Sequence, residues 1–187
     1  MKSKFVLRQE CLEKREIFFN KKGSECLKLK DINAIILEIK SEVKISSIGI
    51  YHPIKSEISP LKLIKICKNL SLKICLPVID KKNNELTFSK FDNQITLTKN
   101  KYGIFEPNKL TQIIPDIIFV PMVGFDKNLN RLGYGKGFYD RTISKLRKLK
   151  KIFVIGLAYD NQKVQNIPAE NSDEKMDIIL TDKKIYR

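Results

Sequence analysis

The sequence predicts an α/β protein, built as a single three-layer open sheet of mostly parallel strands with helices on both faces. Strand and helix patterns alternate repeatedly along the chain, and several strand patterns are continuous apolar runs. Such runs are typical of parallel strands, which are buried on both faces. The 187 residues, 42% of them hydrophobic, are enough for one buried core. We therefore expect residues 1–187 to form a single domain.

Three segments of the N-terminal half are predicted to form helices. An apolar stripe with charges on the opposite face predicts a helix over residues 3–19. Ser24 is expected to cap a second helix that runs to about residue 39, because a serine side chain can accept hydrogen bonds from the first turn. Ser59 would cap a third helix, with Pro60 at the first helical position.

Strand patterns occupy six segments of the chain. The first three, residues 45–51, 73–79 and 86–91, are short, and the last of these could equally be a hairpin arm. The continuous apolar runs lie in the C-terminal half. Residues 138–149, between the first and the second of these runs, fit a helix. These runs cover residues 117–122, 152–159 and 177–181. In sheets of this type, ligands bind beyond the carboxyl ends of the strands.

The net charge of +15 arises from 36 Lys and Arg against 21 Asp and Glu. Such a charge is typical of proteins that bind a polyanion: nucleic acid, an anionic membrane or a phosphorylated ligand. Only six of the 36 are arginines. Specific nucleic-acid readers favour arginine, because its planar fork matches phosphates and guanine edges. The lysine excess, beside many Ile and Asn residues, could instead reflect an AT-rich coding sequence.

A single histidine, His52, excludes metal sites and catalytic arrangements that need several imidazoles. The four cysteines, Cys11, Cys26, Cys67 and Cys75, form no C-x-x-C pair and no zinc-like spacing. We expect them to be reduced, structural thiols in a cytoplasmic protein. The longest charge-free apolar stretch is only about half as long as a membrane span, so no membrane partner is expected.

Glycine is concentrated in the segment 121–141, directly after the first continuous apolar run. Gly133, Gly135 and Gly137 alternate there, and Lys136 lies between two of them. Glycines let the backbone approach a phosphate closely and turn its N–H groups inward. A helix that begins after such a loop adds partial positive charge. The segment therefore favours an anion site, although a glycine-rich surface loop with incidental charges is the alternative.

Charged side chains complete this segment. Arg131 and Lys136 could neutralise phosphate oxygens, and Asp140 is an oxygen ligand suited to a phosphate-bound Mg²⁺. The segment is neither a P-loop nor a G-x-G-x-x-G motif. Lys4 and Arg8, four residues apart on the first helix, could form a second phosphate clamp or simply a solvated face.

Three further candidates have two interpretations each. His52 and Glu57 flank the end of the first strand, but a lone histidine is more often structural or solvated. Glu57 could equally begin the following helix, where a carboxylate suits the positive end of the helix dipole. Asp173 and Asp177 precede the last apolar run, where they could bind Mg²⁺ or cap a turn.

The segment 131–141, R-L-G-Y-G-K-G-F-Y-D-R, resembles the signature of the 5-formyltetrahydrofolate cyclo-ligase family, also called methenyltetrahydrofolate synthetases. The resemblance extends over almost the whole chain, because shorter elements of the family occur in the right order. These are K-x-x-x-R at Lys4 and Arg8, the strand end from residue 51 to Glu57, C-L-P-V-I at 75–79, G-I-F-E-P at 103–107, and I-P-A-E-N-S-D at 167–173 followed by Asp177.

The resemblance implies a fold similar to sugar-phosphate isomerase and CoA-transferase-like domains. It also implies a ligase that forms a C–N bond, converting 5-formyltetrahydrofolate and ATP to 5,10-methenyltetrahydrofolate, ADP and phosphate with Mg²⁺. The formyl group would be phosphorylated on the way, so no histidine nucleophile is required. The partners would be these small molecules, bound by a monomer, with no nucleic acid involved.

The resemblance also assigns site residues by their positions in the matching motifs. ATP would contact two N-terminal cations and the glycine-rich stretch: Lys4, Arg8, Arg131, Leu132, Gly133, Tyr134, Gly135, Lys136, Gly137, Phe138 and Tyr139. The folate would contact His52, Glu57, Tyr134, Gly135, Lys136, Gly137 and Phe138. Arg131, Lys136 and Tyr139 would be catalytic, and Asp140 and Asp177 would hold Mg²⁺. Ser172 stands where the family usually has histidine.

Two other functions stay open at this point. The net charge and interspersed aromatic residues would suit a non-catalytic module that binds nucleic acid, although no nucleic-acid motif is present. A folate- or nucleotide-binding relative without cyclo-ligase activity would share the same motifs.

Overall fold

A mostly parallel sheet organises the chain in its computed structural model, which describes residues 2–24, 27–80, 82–92 and 95–187. Within these ranges the strands are β1 (Ser47–Gly49), β2 (Lys73–Asp80), β3 (Glu85–Phe91), β4 (Leu97–Lys99), β5 (Phe105–Pro107), β6 (Ile117–Pro121), β7 (Gly124–Phe125), β8 (Arg131–Leu132), β9 (Phe153–Ala158), β10 (Ile178–Thr181) and β11 (Ile185–Tyr186). The helices are α1 (Lys4–Lys22), α2 (Leu29–Glu42), α3 (Leu63–Asn69) and α4 (Phe138–Leu149), with a short 3-10 helix at Asp160–Gln162.

Seven of the described strands form one sheet in the order β11-β10-β9-β6-β1-β2-β3. The strands from β10 to β2 are parallel to their neighbours, whereas β3 and β11 pair antiparallel at the two edges. The expected mostly parallel sheet is therefore confirmed. Two small hairpins, β4–β5 and β7–β8, lie outside it.

Side chains of the central strand β6 alternate between two apolar clusters, one on each face of the sheet. Ile117 and Phe119 join the cluster that α2 and α3 cover, whereas Ile118 and Val120 join the cluster that α4 covers. Successive side chains of a strand point to opposite faces, so a continuous apolar run can serve two cores. This arrangement gives the three layers that the sequence predicts.

The first half of helix α1 packs at the end of the sheet, whereas Phe18 and Phe19 near its C-terminus pack against the cluster that α2 and α3 cover. Leu7 and Cys11 form a third, smaller cluster with Val123, Leu132 and Ile167. The helix begins with a cap by Ser3, whose Oγ accepts from the Val6 N–H, and is followed by Gly23. Its position beside the segments that follow β6 and β8 places its N-terminal half next to the glycine-rich stretch.

The two predicted serine caps are wrong. Helix α2 begins at Leu29, five residues after Ser24, and the Ser24 carbonyl accepts from the Ser59 N–H at 2.9 Å instead. Helix α3 begins at Leu63, because Ser59 closes only a turn through its Oγ and the Leu61 N–H. Both serines lie in loops that tertiary contacts hold together, and the local signal does not contain this information. Helix α4 has the predicted bounds, Phe138–Leu149.

Three cysteines, Cys11, Cys67 and Cys75, are buried free thiols, whereas Cys26 lies outside the described residues. Desolvation raises the pKa of the Cys67 thiol to about 11 and raises that of Cys75 further, so both are neutral at physiological pH. No helix within the described ranges is long and apolar enough to cross a membrane.

The double-sided packing of β6 leads to a stability prediction. Phe119 is 1% exposed, and Phe119→Ala should lower the free energy of unfolding by about 3–5 kcal/mol, because truncation leaves a cavity in the core. Urea unfolding followed by circular dichroism measures this change. Leu149→Ala, at a side chain that is 60% exposed, should stay within about 0.5 kcal/mol of wild type. Equal effects of the two substitutions would contradict this account of the core.

Candidate active site

A cavity of about 580 Å³ lies beyond the carboxyl ends of β1, β2 and β6. The carboxyl ends of β2 and β6 and the segment that follows β1 supply its floor, and α1, the β4–β5 hairpin and the glycine-rich loop supply its walls. Its position agrees with the expectation that ligands bind at this edge of a parallel sheet. Among the residues that line it are Tyr51, His52, Glu57, Pro77, Ile79, Tyr102, Glu106 and Pro121.

The glycine-rich loop connects β8 to α4 and forms one wall of the cavity. Gly135 has a φ of +90° and Gly137 a φ of +66°, a region of backbone conformation that other residues rarely adopt. Gly137 is also the residue at which α4 begins, in the left-handed conformation. The loop therefore presents backbone to the cavity and ends at the N-terminus of a helix.

Three arginines hold this loop in place. Arg8 of α1 donates from Nε to the Gly133 carbonyl at 2.8 Å, and Arg141 of α4 donates to the Lys136 carbonyl at 2.8 Å. A Cβ on Gly133 would lie 2.7 Å from Nη1 of Arg131, so a larger residue would displace that guanidinium. The glycines are needed here for close packing against arginine as well as for backbone conformation.

Arg131 and Asp140 form an ion pair within the cavity wall, with Nη2 and Oδ2 2.7 Å apart. The Arg131 side chain is 6% exposed, and its Nε has no hydrogen-bond partner among the described residues. Its guanidinium also lies over the ring of Tyr139, 5.6 Å from the ring centroid. Burial raises the pKa of the Tyr139 phenol, so its hydroxyl keeps its proton at neutral pH.

Glu57 is a buried carboxylate on the floor of the cavity. Its Oε2 accepts from the Ile54 N–H at 2.9 Å, and the carboxylate also interacts with the Tyr134 hydroxyl. Burial raises the pKa of Glu57 to about 7, against the opposing effect of the Ile54 N–H and the nearby Arg15 charge. Burial and the Glu57 charge raise the pKa of Tyr134 to about 12.

Arg15 is a residue of this region that the sequence analysis misses. It is 1% exposed and donates to the Tyr134 hydroxyl at 2.7 Å. A signal was available, because Leu7, Cys11 and Arg15 are spaced four residues apart and share the buried face of α1. A charged residue on an apolar helix face indicates a buried polar partner.

The N-terminal cation Lys4 pairs with two acidic residues that also line the cavity. Its Nζ lies 2.6 Å from Asp173 and 2.9 Å from Glu170, so it links α1 to the loop that precedes β10. Ser172, the departure from the family pattern, lines the cavity in the same loop.

The β4–β5 hairpin contributes the opposite wall, which the sequence analysis does not predict. The ring of His52 lies against Phe105 of this hairpin, with centroids 4.8 Å apart, and its Nδ1 is buried without a hydrogen-bond partner in the described structure. Tyr102 contacts Lys136 of the glycine-rich loop, whose Nζ is 5.4 Å from the tyrosine ring centroid.

The structure brings nearly all the predicted site residues into this one cavity. Its lining includes Lys4, Arg8, His52, Glu57, Arg131, Leu132, Gly133, Tyr134, Gly135, Lys136, Gly137, Phe138, Tyr139 and Asp140. Asp177 is the exception. Its Oδ1 accepts from Arg147 at 3.0 Å and its Oδ2 from the Val154 N–H at 2.7 Å, which joins the start of β10 to β9 and to α4.

The donor set is suitable for Mg²⁺ only when the metal arrives with its own oxygen ligands. No group of three His, Cys, Asp or Glu side chains that could hold a metal occurs among the described residues. Asp140 faces the cavity, and its Oδ1 has one long contact, 3.4 Å from the Glu174 N–H. One carboxylate together with phosphate oxygens and water is a common environment for protein-bound Mg²⁺. The separate position of Asp177 does not support a shared site with Asp140.

A model of the 5-formyltetrahydrofolate cyclo-ligase family matches residues 1–182. The chain belongs to this family of ligases. A 5-formyltetrahydrofolate cyclo-ligase of Haemophilus influenzae is 35% identical over 150 residues, which cover 77% of this chain and 80% of that protein. Another, from Mycoplasma pneumoniae, is 28% identical over 180 residues, or 96% of this chain and 98% of the relative.

Solved structures of cyclo-ligases have the same fold. The 5,10-methenyltetrahydrofolate synthetase of Mycoplasma pneumoniae is similar with a TM-score of 0.73 at 25% identity, over 97% of this chain and 99% of that structure. The synthetase of Aquifex aeolicus has a TM-score of 0.72 at 27% identity, over 98% of this chain and 92% of its own. These matches confirm the fold class and the family resemblance.

The buried position of Glu57 leads to a pH prediction. Because its pKa rises from 4.5 to about 7 on folding, its effect on stability becomes unfavourable as the pH rises through this window. Glu57→Gln should therefore raise the free energy of unfolding at pH 8 by ~3 kcal/mol and change it little at pH 5. Chemical denaturation at both pH values measures the difference. A substitution that acts equally at pH 5 and pH 8 would contradict the assignment.

Proposed function

We propose that this cyclo-ligase family member converts 5-formyltetrahydrofolate and ATP to 5,10-methenyltetrahydrofolate, ADP and phosphate, with Mg²⁺. One observation carries the proposal: a single cavity combines a buried carboxylate, Glu57, with a cationic glycine-rich loop. The carboxylate suits the N–H groups of a pterin, and the loop suits a triphosphate. Both substrates can therefore meet within one site.

The folate would bind on the floor of the cavity. Glu57 can accept hydrogen bonds from two adjacent N–H donors of the pterin, as a carboxylate with two oxygens can. His52 lies at the same side, and its buried, unpartnered Nδ1 is available for a polar group of the ligand. The residues from Tyr134 to Phe138 would cover the folate and separate it from water.

The triphosphate would bind along the glycine-rich loop and the N-terminal half of α1. Backbone N–H groups of the stretch from Arg131 to Tyr139 would surround the phosphates, together with the start of α4. Arg8, which anchors the loop through Nε, has two further nitrogens for phosphate oxygens. Lys4 would exchange its partners Glu170 and Asp173 for a phosphate.

The proposed reaction has two steps. The formyl oxygen attacks the terminal phosphorus of ATP, and ADP leaves as the P–O bond breaks. The neighbouring arylamine nitrogen then attacks the formyl carbon, loses its proton and closes the ring, while phosphate departs with the former formyl oxygen. Positioning and charge neutralisation drive such phosphoryl transfers, and the protein needs no covalent nucleophile.

Arg131, Lys136 and Tyr139 would act directly on the transferred group. Arg131 and Lys136 stabilise the charge that accumulates on the phosphoryl oxygens. Tyr139 donates a hydrogen bond, since its phenol stays protonated. Asp140 would hold Mg²⁺ and orient Arg131 through their ion pair. Bound Mg²⁺ supplies additional neutralisation of the phosphates. We propose no direct contact of Asp177 with the metal.

We further propose that the protein acts as a monomer in the cytoplasm, on small molecules rather than on nucleic acid or membranes. The support for a monomer is that one chain supplies residues to every wall of the cavity. The support for the cytoplasm is that three described cysteines are free and buried.

The assay that tests the function mixes the protein with 5-formyltetrahydrofolate, ATP and Mg²⁺ and follows the methenyl chromophore. Product should appear only when all three are present, with one ADP released for each ring closed. Folate or ATP binding without product would instead indicate a relative that lacks the activity. Salt-sensitive binding of mixed oligonucleotides without turnover would favour the nucleic-acid alternative.

Two aspartates provide a matched test of the metal proposal. Asp140→Asn should lower kcat by at least about 100-fold and raise the Mg²⁺ concentration needed for half-maximal rate, because it removes the proposed ligand. Asp177→Asn changes the same charge outside the cavity and should keep kcat within about threefold, as it affects only the contacts with Arg147 and the Val154 N–H. Near-normal Mg²⁺ dependence in the Asp140 variant would remove this residue from the ligand set.

Two lysines test whether the phosphate site depends on position or only on net charge. Lys136→Ala should raise the KM for ATP or lower kcat by about 10- to 100-fold, because a charge-assisted contact to phosphate is lost. Lys148→Ala removes the same charge from an exposed position late in α4 and should leave both constants within about twofold. Similar losses in the two variants would contradict a specific phosphate contact.

A further inference from the structure

A buried arginine outside the cavity, Arg15, contacts the lining residue Tyr134. Arg15 belongs to α1, two helical turns after Arg8, but it is not part of the cavity lining. It is 1% exposed, so its charge is taken out of water and must be compensated within the protein. The residues it contacts show which part of the site uses this charge.

All three guanidinium nitrogens of Arg15 have partners. Nη2 donates to the Tyr134 hydroxyl at 2.7 Å, Nε donates to Ser56 Oγ at 3.1 Å, and Nη1 donates to the Met122 carbonyl at 3.3 Å. The guanidinium also lies 5.5 Å from the Tyr134 ring centroid. A planar fork with several donors can satisfy such a set simultaneously, whereas the single ammonium group of lysine cannot reproduce its geometry.

Two of these bonds are made to residues beside the Glu57 carboxylate. Tyr134 accepts from Arg15, and its hydroxyl also interacts with the Glu57 carboxylate, so it lies between the two charges. Ser56, the residue before Glu57, is held by the same guanidinium. Arg15 therefore fixes the tyrosine that covers the carboxylate and the backbone that carries it.

We propose that Arg15 is a positioning residue for the folate half of the site, because it holds Tyr134 and the backbone at Ser56 in the places that present Glu57 to the pterin N–H donors. The inference rests on the proposed function. Arg15 touches neither substrate and acts through Tyr134 and Glu57. Loss of Arg15 should therefore weaken folate binding and leave ATP binding nearly unchanged.

The charge state of Glu57 depends on groups from several elements. The titratable and charged groups that act on it are Arg15 of α1, Lys55 and Tyr51 of the segment after β1, Tyr134 of the glycine-rich loop and Tyr139 of α4. Arg15 and Lys55 favour the anion, and Arg15 has the larger effect of the two. The tyrosines are neutral at physiological pH, so Arg15 is the main buried cation that opposes the effect of burial.

The test compares Arg15→Met with Lys14→Met, which removes an exposed charge from the preceding position of the same helix. For each variant, KM for 5-formyltetrahydrofolate, KM for ATP and kcat are measured from pH 5.5 to pH 9. Arg15→Met should raise the folate KM about 10- to 100-fold, since a buried bond to a charged group is lost, and keep the ATP KM within about threefold. The pH above which folate is used efficiently should move upward. Lys14→Met should match wild type.

Two further variants separate positioning from folding. Arg15→Lys should restore part of the wild-type pH profile, because it restores the positive charge. It should restore less of the wild-type folate KM, because lysine lacks the planar guanidinium. Tyr134→Phe removes the hydroxyl that joins the two charges. In the double variant of Arg15→Met and Tyr134→Phe, the folate KM should rise by less than the product of the two single rises, because both changes break the same link. If Arg15→Met does not fold, Arg15→Lys and Tyr134→Phe give the same comparison.

Several results would overturn the inference. One is a folate KM and pH profile like wild type in the Arg15 variants, and another is an equal rise of the ATP KM. Direct binding of 5-formyltetrahydrofolate by calorimetry separates this inference from the proposed function. If wild type binds the folate but forms no product, the function fails and the Arg15 comparison is made on the dissociation constants. If wild type does not bind the folate, both fail.

Discussion

The constraint on which the structure depends is that β6 must be apolar on both sides. Ile117 and Phe119 serve one core and Ile118 and Val120 the other, so helices must cover both faces of the sheet. With both faces closed, the carboxyl edge is where loops from several strands can meet. Glu57, Pro121 and the glycine-rich loop reach a common cavity for this reason. The chemistry of the site is thus a consequence of how the sheet is buried.

Within the cavity, the glycine-rich loop is shaped by arginine as much as by glycine. Gly133 leaves space for the guanidinium of Arg131, and Gly135 lies against that of Arg8, 3.3 Å from where a Cβ would be. Both guanidiniums stay close to the backbone, where they bring positive charge without filling the cavity with side chain. The arginine contacts restrain a glycine-rich backbone that would otherwise be flexible, as the proposed orientation of a triphosphate requires.

Local sequence signals are sufficient for the central strands and for the glycine-rich loop that forms one wall of the cavity. The apolar run at β6 and the start and end of α4 depend on periodicity that neighbouring residues carry, and the cluster of glycines and charges indicates the loop. The predicted helix caps at Ser24 and Ser59 are wrong because these serines lie in loops that contact each other, although the loops are remote in sequence. Arg15 and the position of Asp177 depend on tertiary contacts with Tyr134 and Arg147, which spacing alone does not reveal.

Three of the six arginines, Arg8, Arg131 and Arg141, line the cavity, and a fourth, Arg15, contacts its lining residue Tyr134, in a chain whose basic residues are mostly lysines. Each donates a hydrogen bond from its planar guanidinium to a carbonyl, a hydroxyl or a carboxylate. If the coding sequence drifts towards AT-rich codons, arginine survives where lysine cannot replace its geometry. The scarcity of arginine is then informative, because in a lysine-rich protein the few guanidiniums indicate where a planar group with several donors is required.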